Sequence, residues 1–388
     1  MSCGHCRMIS ERYIMKKRAL IAMSGGVDSS VAAYLIKGKG MDCLGITMKL
    51  FQGEENDLAG GATCCSLADI EDARRISIQL NIPYYVFNFK DQFHKDVIQH
   101  FIQAYENGQT PNPCIDCNRY LKFDQLYRRA KELDYYYVVT GHYARIEQQG
   151  DQFFLKKAVD ATKDQSYVLY TLTQEKLAHT LFPLGDYTKP KVRFLARKFR
   201  FNNADKADSQ DICFVPDGDY ARFIKNKTRR HYAKGHFIGL DGKILGQHKG
   251  IIHYTIGQRK GLGLSFPRPV YVHSIHPENN TIVLCEESGL YGTTLIAHDI
   301  NWISGKSLEH SIRLKAKIRY REPEQWATVI PLENNQIQVT FDEPQRAITQ
   351  GQAVVLYDGD YVIGGGVILR TNESLSPPQP SVSHFPIH

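Results

Sequence analysis

The chain has 388 residues, of which 42% are hydrophobic and 23% charged, the composition of an ordinary globular protein of two or three domains. No apolar run approaches the roughly 20 residues of a membrane-spanning helix, so we expect a cytoplasmic protein without membrane contact. The net charge of +7 suits nucleic-acid-binding proteins and many ordinary enzymes equally well. The odd number of cysteines, nine, argues against a secreted disulfide framework.

The first part of the chain has the pattern of an α/β domain. Residues 1–17 are predicted to form a flexible leader. Over residues 18–214 short apolar runs alternate with amphipathic stretches, which predicts a doubly wound parallel sheet. The predicted strands are 18–23, 42–48, 83–89 and 135–140, and the predicted helices are 30–37, 66–80, 91–105 and 123–133.

The pattern changes after Phe214, where glycines become frequent and helical periodicity fades. We expect a small central module over residues 215–275. Short alternating runs separated by turns then predict a C-terminal antiparallel β-barrel over residues 276–370. The tail, 371–388, is rich in Ser and Pro, which predicts disorder.

A glycine loop follows the first predicted strand and opens a helix. Adjacent glycines let the backbone approach an anion, and the serines and the helix N-terminus add donors. Asp28 is predicted to hold Mg²⁺ or to orient the loop. The segment closely resembles the PP-loop of ATP pyrophosphatases, which split ATP to AMP and pyrophosphate, and this resemblance implies ATP as cofactor and adenylation of a substrate. The predicted loop residues are Ala22, Met23, Ser24, Gly25, Gly26, Val27, Asp28, Ser29 and Ser30.

Three cysteines are candidates for chemistry. Cys114 and Cys117 have C-x-x-C spacing, and Cys213 lies in an acidic segment where a core-packed thiol is not expected. Nearby Arg119 and Lys122, or a helix N-terminus, would favour a nucleophilic thiolate. The others are interpreted as core residues (Cys43, Cys285), structural residues (Cys64, Cys65) and a C-x-x-C without a second half (Cys3, Cys6).

Five motifs occur together in one order and make the resemblance more specific. Together they are similar to the tRNA-specific 2-thiouridylases, which place sulfur on C2 of the wobble uridine. The resemblance runs from about Arg18 to Leu369. The motifs are Ser24–Ser30, Asn112–Asn118, Thr140–Arg145, Lys163–Tyr167 and Asp211–Phe214.

The resemblance implies roles at matching positions. Cys117 matches the nucleophile, Cys213 the cysteine that accepts the persulfide, and Met48 and Gly141 match contacts to the adenosine. The central module would then bind tRNA. The positions matching residues around the target base or other tRNA contacts are Asn112, Pro113, Cys114, His142, Lys163, Asp164, Gln165, Arg319, Tyr320 and Gln352.

The implied reaction begins with adenylation of O2 of the uridine by ATP and Mg²⁺. A persulfide on Cys213 supplies sulfur, and a Cys117–Cys213 disulfide remains for a thiol reductant. The implied partners are a tRNA anticodon stem-loop of Lys, Glu or Gln type and a sulfur donor, either a cysteine desulfurase or a sulfur-relay protein.

Cys114 departs from the family pattern, in which many members carry an acidic residue at this position. The trio Cys114, Cys117 and Cys213 could instead ligate a 4Fe–4S cluster, which leaves a second route of sulfur delivery open. A resting Cys114–Cys117 disulfide is also open. A rival function is that of another PP-loop adenylating ligase, which predicts no use for paired cysteines.

Basic segments suggest where tRNA would lie. On a strand, the five cations at alternate positions from Arg313 to Arg321 would project to one side, with Leu314, Ala316, Ile318 and Tyr320 facing the barrel core. A helix over 189–200 and the stretch 225–234 are the second and third basic elements. These patches predict an extended RNA footprint, although a strand of cations also suits a solvated face or a protected edge.

Overall fold

The computed structural model describes residues 17–51, 66–208 and 212–371. The leader before residue 17, the tail after residue 371, Cys3, Cys6, Cys64 and Cys65 lie outside the described residues. In the described part, no helix is both long and apolar enough to cross a membrane.

The strands belong to three sheets. Their bounds are β1 Arg18–Ala22, β2 Asp42–Lys49, β3 Tyr84–Asn88, β4 Tyr137–Val139, β5 Ala144–Gln149, β6 Gln152–Lys157, β7 Thr180–Leu181, β8 Gly235–Gly239, β9 Ile244–His248, β10 Tyr271–His276, β11 Thr281–Cys285, β12 Tyr291–Trp302, β13 Ile312–Lys317, β14 Gln325–Leu332, β15 Gln336–Arg346, β16 Ala353–Asp358 and β17 Tyr361–Thr371.

The helices lie mainly in the first two thirds of the chain. Their bounds are α1 Val27–Gly38, α2 Leu67–Gln79, α3 Lys90–Phe93, α4 Gln99–Glu106, α5 Pro113–Asp116, α6 Leu126–Glu132, α7 Gln174–Ala178, α8 Lys189–Lys198 and α9 Tyr220–Thr228. Two π-helical stretches, His94–Ile98 and Cys117–Gln125, continue α3 into α4 and α5 into α6.

The first sheet is parallel and has the order β3-β2-β1-β4-β7. The strand order reverses at β1, which pairs with β2 on one side and β4 on the other. Such a reversal opens a crevice at the carboxyl ends of the strands. The predicted doubly wound α/β domain is confirmed.

The helix that carries the C-x-x-C pair begins at Pro113, ten residues before the predicted start at 123. Asn112 caps it, since its side-chain oxygen accepts a hydrogen bond from the backbone N–H of Cys114 at 3.2 Å. Proline suits the first helical turn, because its missing N–H would be unpaired there in any case. Cys114 and Cys117 therefore lie on a helix and its π-helical continuation.

An unpredicted hairpin, β5–β6, leaves the first domain and joins the barrel sheet, where Tyr361 of β17 pairs with Lys156 of β6. The central sheet has the order β10-β11-β8-β9. This sheet spans 235–285, so the boundary predicted at residue 275 falls within β10.

The C-terminal barrel has six antiparallel strands in the order β12-β15-β14-β13-β16-β17 and closes through pairing of β12 with β17. Alternating inward residues fill it, among them Leu314, Ala316 and Ile318, each at most 3% exposed. The predicted antiparallel barrel is confirmed.

Candidate active site

A cleft of about 1700 Å³ opens at the carboxyl ends of β1, β2 and β4. Its walls come from the first domain and from the barrel, which contributes Lys315, Lys317 and Tyr320. The cleft therefore lies at the reversal of strand order, where open α/β sheets bind their ligands.

The phosphate loop joins β1 to α1 at the cleft floor. Gly25 has φ +74°, and a Cβ there would collide with the backbone of Asp69, so only glycine fits. α1 follows an extended Gly26, and among the described residues no side chain caps it. The first-turn N–H groups and the positive end of the helix dipole therefore fit the pyrophosphate of ATP.

Nine of the predicted nucleotide residues line the cleft: Ala22, Met23, Ser24, Gly26, Val27, Asp28, Ser29, Met48 and Gly141. Gly25 and Ser30 lie below it, where the side-chain amide of Asn203 donates to the Gly25 carbonyl and to Ser30 Oγ at 2.9 Å each. A Cβ on Gly141 would lie 2.9 Å from the backbone of Asp28 and Ser29, so this glycine lets the end of β4 pack against α1.

Asp28 is held by partners on both carboxylate oxygens. The Lys189 ammonium donates to both at 2.8 Å, and the Tyr143 hydroxyl donates to one at 2.8 Å. Lys189 has a side chain only 9% exposed. This geometry favours the loop-orienting role of Asp28 over direct metal binding, which would require displacing Lys189.

Asp208 connects this network to the cysteine segment. Its carboxylate forms ion pairs with Lys189 at 2.7 Å, with Lys163 at 2.8 Å and with Arg193 at 2.9 Å. Burial alone would raise the pKa of Asp208, but the hydrogen bonds from Lys163 and Lys189 outweigh it and lower the pKa to about 2. Residues 209–211 lie outside the described part, and the chain resumes just before Cys213.

Lys206 lies on the other side of the loop, with its ammonium 2.6 Å from Asp69, 2.8 Å from Asp72 and 3.4 Å from the Gly25 carbonyl. Sequence reasoning missed Lys189, Lys206 and Asp208. Lys206 and Asp208 lie just before the Cys213 motif, which is a signal that could have found them, whereas Lys189 was interpreted only as part of a basic helix.

The three candidate cysteines all line the cleft, from separate parts of the chain. Cys114 is exposed and Cys117 and Cys213 are half-buried. The last two pack against one hydrophobic cluster that includes Phe93 and Phe214. Across the described residues, no three Cys, His, Asp or Glu side chains are grouped as a metal site, so the cysteines as placed do not fit a cluster.

Cys43 and Cys285 are 1% and 5% exposed and lie in hydrophobic clusters, in agreement with their interpretation as core residues. Neither lines the cleft.

Asp116 directly precedes Cys117 and lies near Arg119 and Asp299. Burial raises the pKa of Asp116 to about 7, and Arg119 opposes this rise only in part. Arg119 forms an ion pair with Asp299, so its charge is already paired, contrary to its predicted role beside the thiols. Lys122, by contrast, lines the cleft with Cys114 and Cys117.

His142 is only 8% exposed and packs against Phe123 and Phe182, with ring centroids 5.9 Å apart in each case. Burial, together with the nearby Lys122 charge, lowers the pKa of His142 well below 6.5. The neutral ring has Nδ1 2.7 Å from Thr140 Oγ1 and Nε2 3.4 Å from the Lys122 ammonium. Its buried faces leave little room for stacking on a base.

The other predicted tRNA residues divide into two groups. Pro113, Cys114, Lys163, Asp164, Gln165 and Tyr320 line the cleft together with His142. Asn112, Arg319 and Gln352 are not among the lining residues. Gln352 donates to the Thr110 carbonyl at 2.8 Å, and Arg319 to that of Ala347 at 2.6 Å. The Arg319 bond lies within the barrel domain, and the Gln352 bond joins the barrel to the loop before Cys114.

The basic strand is shorter than predicted. β13 ends at Lys317, since the chain turns at Ile318, so Arg319 and Arg321 do not continue its row of cations. Arg313 pairs with Asp342 at 2.6 Å and Arg319 with Glu322 at 3.1 Å. The prediction of five aligned cations is therefore wrong, and three remain on the strand.

Cations of the other two basic elements also form ion pairs with acidic residues elsewhere in the protein. α8 ends at Lys198, two residues before the predicted helix end, and its Arg193 and Arg197 pair with Asp208 and Asp205. In the third element, Arg230 pairs with Glu106 at 2.8 Å.

Family models match three consecutive parts of the chain. They are described as a tRNA methyl transferase HUP domain over residues 17–217, a tRNA methyl transferase PRC-barrel domain over 221–286, and an aminomethyltransferase β-barrel domain over 292–368. The first alone matches more than half of the chain.

Similar curated proteins span the same length. A tRNA-specific 2-thiouridylase MnmA of Clostridioides difficile is 51% identical over 360 residues, which is 92% of this chain and 99% of that protein. A tRNA-specific 2-thiouridylase MnmA 2 of Caldanaerobacter subterraneus is 52% identical over 358 residues, 91% of this chain and 98% of that protein. The chain belongs to the tRNA-specific 2-thiouridylase family.

Proposed function

We propose that this enzyme transfers sulfur to C2 of the wobble uridine, position 34 of tRNA, after ATP has activated the uridine oxygen. The supporting observation is that one cleft is lined by a phosphate loop and by Cys117 and Cys213. ATP pyrophosphatase chemistry and a pair of thiols together suit replacement of an oxygen by sulfur.

Activation uses the phosphate loop. O2 of the uracil attacks the α-phosphorus of ATP, a P–O bond breaks, and pyrophosphate leaves. The N–H groups at the start of α1 would stabilise the charge of the departing pyrophosphate. Mg²⁺ would supply further positive charge to this step, Met48 and Gly141 would contact the adenosine, and Ala22 would belong to the same nucleotide site.

Sulfur delivery uses both cysteines. The terminal sulfur of a Cys213 persulfide attacks C2, and AMP leaves. The Cys117 thiolate then attacks the Cys213 sulfur, which breaks the S–S bond to the substrate, leaves 2-thiouridine and forms a Cys117–Cys213 disulfide. In the variant route, Cys117 first releases the sulfur as hydrosulfide, which then attacks C2.

The tRNA is proposed to be of the Lys, Glu or Gln type and to enter the cleft with its anticodon loop. Asn112, Pro113 and Cys114 would surround the flipped base, and Lys163, Asp164 and Gln165 would contact the loop beside it. His142, Arg319, Tyr320 and Gln352 complete the proposed set.

Two partners follow from the chemistry. A cysteine desulfurase or a sulfur-relay protein would load Cys213, and a thiol reductant would reopen the disulfide after each turnover. A reducing compartment suits this cycle, which supports a cytoplasmic location.

The leading experiment incubates the enzyme with ATP, Mg²⁺, a cysteine desulfurase with cysteine as the persulfide source, a thiol reductant and an unmodified tRNA transcript, and measures 2-thiouridine and AMP. Both products are expected, and Cys117→Ser should abolish the first while the control Cys285→Ala, in the core, retains it. Absence of both products would overturn the proposal, and AMP formed only with an amine acceptor would indicate a ligase.

A second experiment addresses the 4Fe–4S alternative on Cys114, Cys117 and Cys213, which the present placement of the three cysteines does not favour. Anaerobically purified protein freed of iron is expected to thiolate tRNA when given persulfide. Activity that returns only with reconstituted iron and sulfide would replace the persulfide route by the cluster.

A further inference from the structure

An exposed tryptophan lies on the outer face of the barrel, close to the cleft. The chain has two tryptophans. Trp302 is buried at 8% exposure, whereas Trp326 on β14 is 50% exposed. Water covers half of an aromatic side chain that would gain free energy from contact with another apolar surface.

Two cations flank this tryptophan. The Arg313 guanidinium lies 5.7 Å and the Lys315 ammonium 5.6 Å from the ring centroid, and Lys315 is the direct cross-strand neighbour of Trp326. Arg313 is held by both oxygens of Asp342 at 2.6 Å and by Thr328 at 3.2 Å. The guanidinium is therefore fixed in place, although its charge is balanced by Asp342.

The cations of β13 connect the surface around Trp326 to the cleft. Lys315 and Lys317 line the cleft, and Lys317 lies 5.9 Å from the ring centroids of Tyr167 and Tyr320. Glu324 is 2.6 Å from Lys157 and 4.0 Å from Lys315, so one carboxylate is shared between two ammonium groups and positive charge remains at the rim. A polyanion leaving the cleft along β13 would meet Trp326 next.

We propose that Trp326, with Lys315 and Arg313 beside it, is a stacking platform for an unpaired nucleotide of the bound tRNA, outside the pocket of the reacting uridine. Every base has a π-face that stacks on an aromatic ring, and adjacent cations attract the phosphates on either side. The proposal rests on the proposed function, because tRNA is the ligand.

Intrinsic fluorescence and tRNA affinity test the platform. Titration with an unmodified tRNA transcript is expected to quench the tryptophan emission of the wild type, and Trp326→Phe, which retains only Trp302, should lose this quenching. Trp326→Ala should weaken tRNA binding about tenfold, and Trp326→Phe, which keeps a smaller ring, about two- to threefold. At saturating tRNA, the kcat for 2-thiouridine formation by Trp326→Ala should be that of the wild type.

The matched control is Tyr85→Ala, since Tyr85 is a 60% exposed aromatic on the edge strand β3 and does not line the cleft. Its tRNA affinity should not change. If Trp326→Ala bound tRNA as tightly as the wild type, or if tRNA quenched Trp326→Phe as much as the wild type, this face of the barrel would be merely solvated. Either result would overturn the proposed stacking platform. Because the wild type would still form 2-thiouridine in that case, this failure differs from failure of the proposed function.

Discussion

The two halves of the cleft are built from different interactions. In the phosphate half, Asp28 and Asp208 share the buried Lys189, and Lys206 lies within 2.8 Å of Asp69 and Asp72. In the sulfur half, Cys117 and Cys213 pack against a largely aromatic and aliphatic cluster.

The difference shows how each half depends on its residues. Partly buried ion pairs stabilise a fixed geometry, and loss of one partner leaves a charge without compensation. A thiol that takes part in bond making supplies the reacting atom itself. We therefore expect charge substitutions to disturb ATP binding and stability, and cysteine substitutions to stop sulfur transfer while leaving the fold unchanged.

The largest effect is expected from Cys213→Ser. It should lower the rate of 2-thiouridine formation by at least about 10³-fold, since a hydroxyl cannot carry a persulfide. The dissociation constant for ATP, measured by calorimetry, should match that of the wild type. Thiolation within tenfold of the wild-type rate would show that Cys213 does not carry the sulfur.

Lys189→Met should disturb the phosphate half. Removing the ammonium leaves Asp28 and Asp208 with one cation fewer, so we expect a loss of about 3–5 kcal/mol in the free energy of unfolding. The KM for ATP should rise, because a less compensated Asp28 repels the phosphates.

Denaturant unfolding and the KM for ATP check this prediction against Lys191→Met, which removes an exposed lysine of the same helix. Lys189→Arg should recover part of both losses. Equal behaviour of Lys189→Met and Lys191→Met would contradict the role given to the network.

Asp116→Asn tests the charge next to the sulfur half. The pKa of Asp116 is about 7 in the folded protein, against a usual value of 3.8, so the folded state keeps a proton that the unfolded state loses. Stability of the wild type should therefore fall as the pH rises from about 4 to about 7. Asp116→Asn has no carboxyl at this position, so the part of the stability loss that Asp116 causes should be absent from the variant.

The measurement is urea unfolding of both proteins at pH 5 and pH 8. Relative to the wild type, Asp116→Asn should be more stable at pH 8 than at pH 5. The same difference in unfolding free energy at both pH values would show that the carboxyl is ionised throughout.

The smallest effect is expected from Arg197→Ala on α8. Arg197 pairs with Asp205 at 2.7 Å, but both side chains are more than 60% exposed, so the free energy of unfolding should change by less than about 1 kcal/mol. If this helix contacts tRNA, the slope of log affinity against log salt concentration should decrease in magnitude by about 1. Asp205→Asn, which breaks the same pair and keeps the cation, is the control, and equal slopes in all three proteins would exclude the contact.

Local patterns predicted the phosphate loop and the parallel sheet well. The strand β1 and the loop after it are contiguous in sequence, and glycine, serine and a helix start carry the signal within eight residues. The central partners of the loop were not predicted, because Lys189 and Asp208 are far from Asp28 in sequence and only the tertiary fold brings them together.

The basic strand shows the opposite outcome. Alternation of cations predicted a strand through Arg321, but alternation does not reveal where the chain turns, and the turn at Ile318 ends β13. The early start of the helix at Pro113 could have been found, since Asn-Pro is a helix-start signal.

The hairpin β5–β6 has a consequence for synthesis of the chain. Its strand β6 pairs with β17, and Arg145 bonds to Asp360, 215 positions later. At about 5–20 residues per second, a ribosome needs roughly 10–40 s to reach that partner. During this interval the hairpin has an open edge, and the charged residues Glu147, Lys156 and Lys157 would discourage other chains from adding a strand to it.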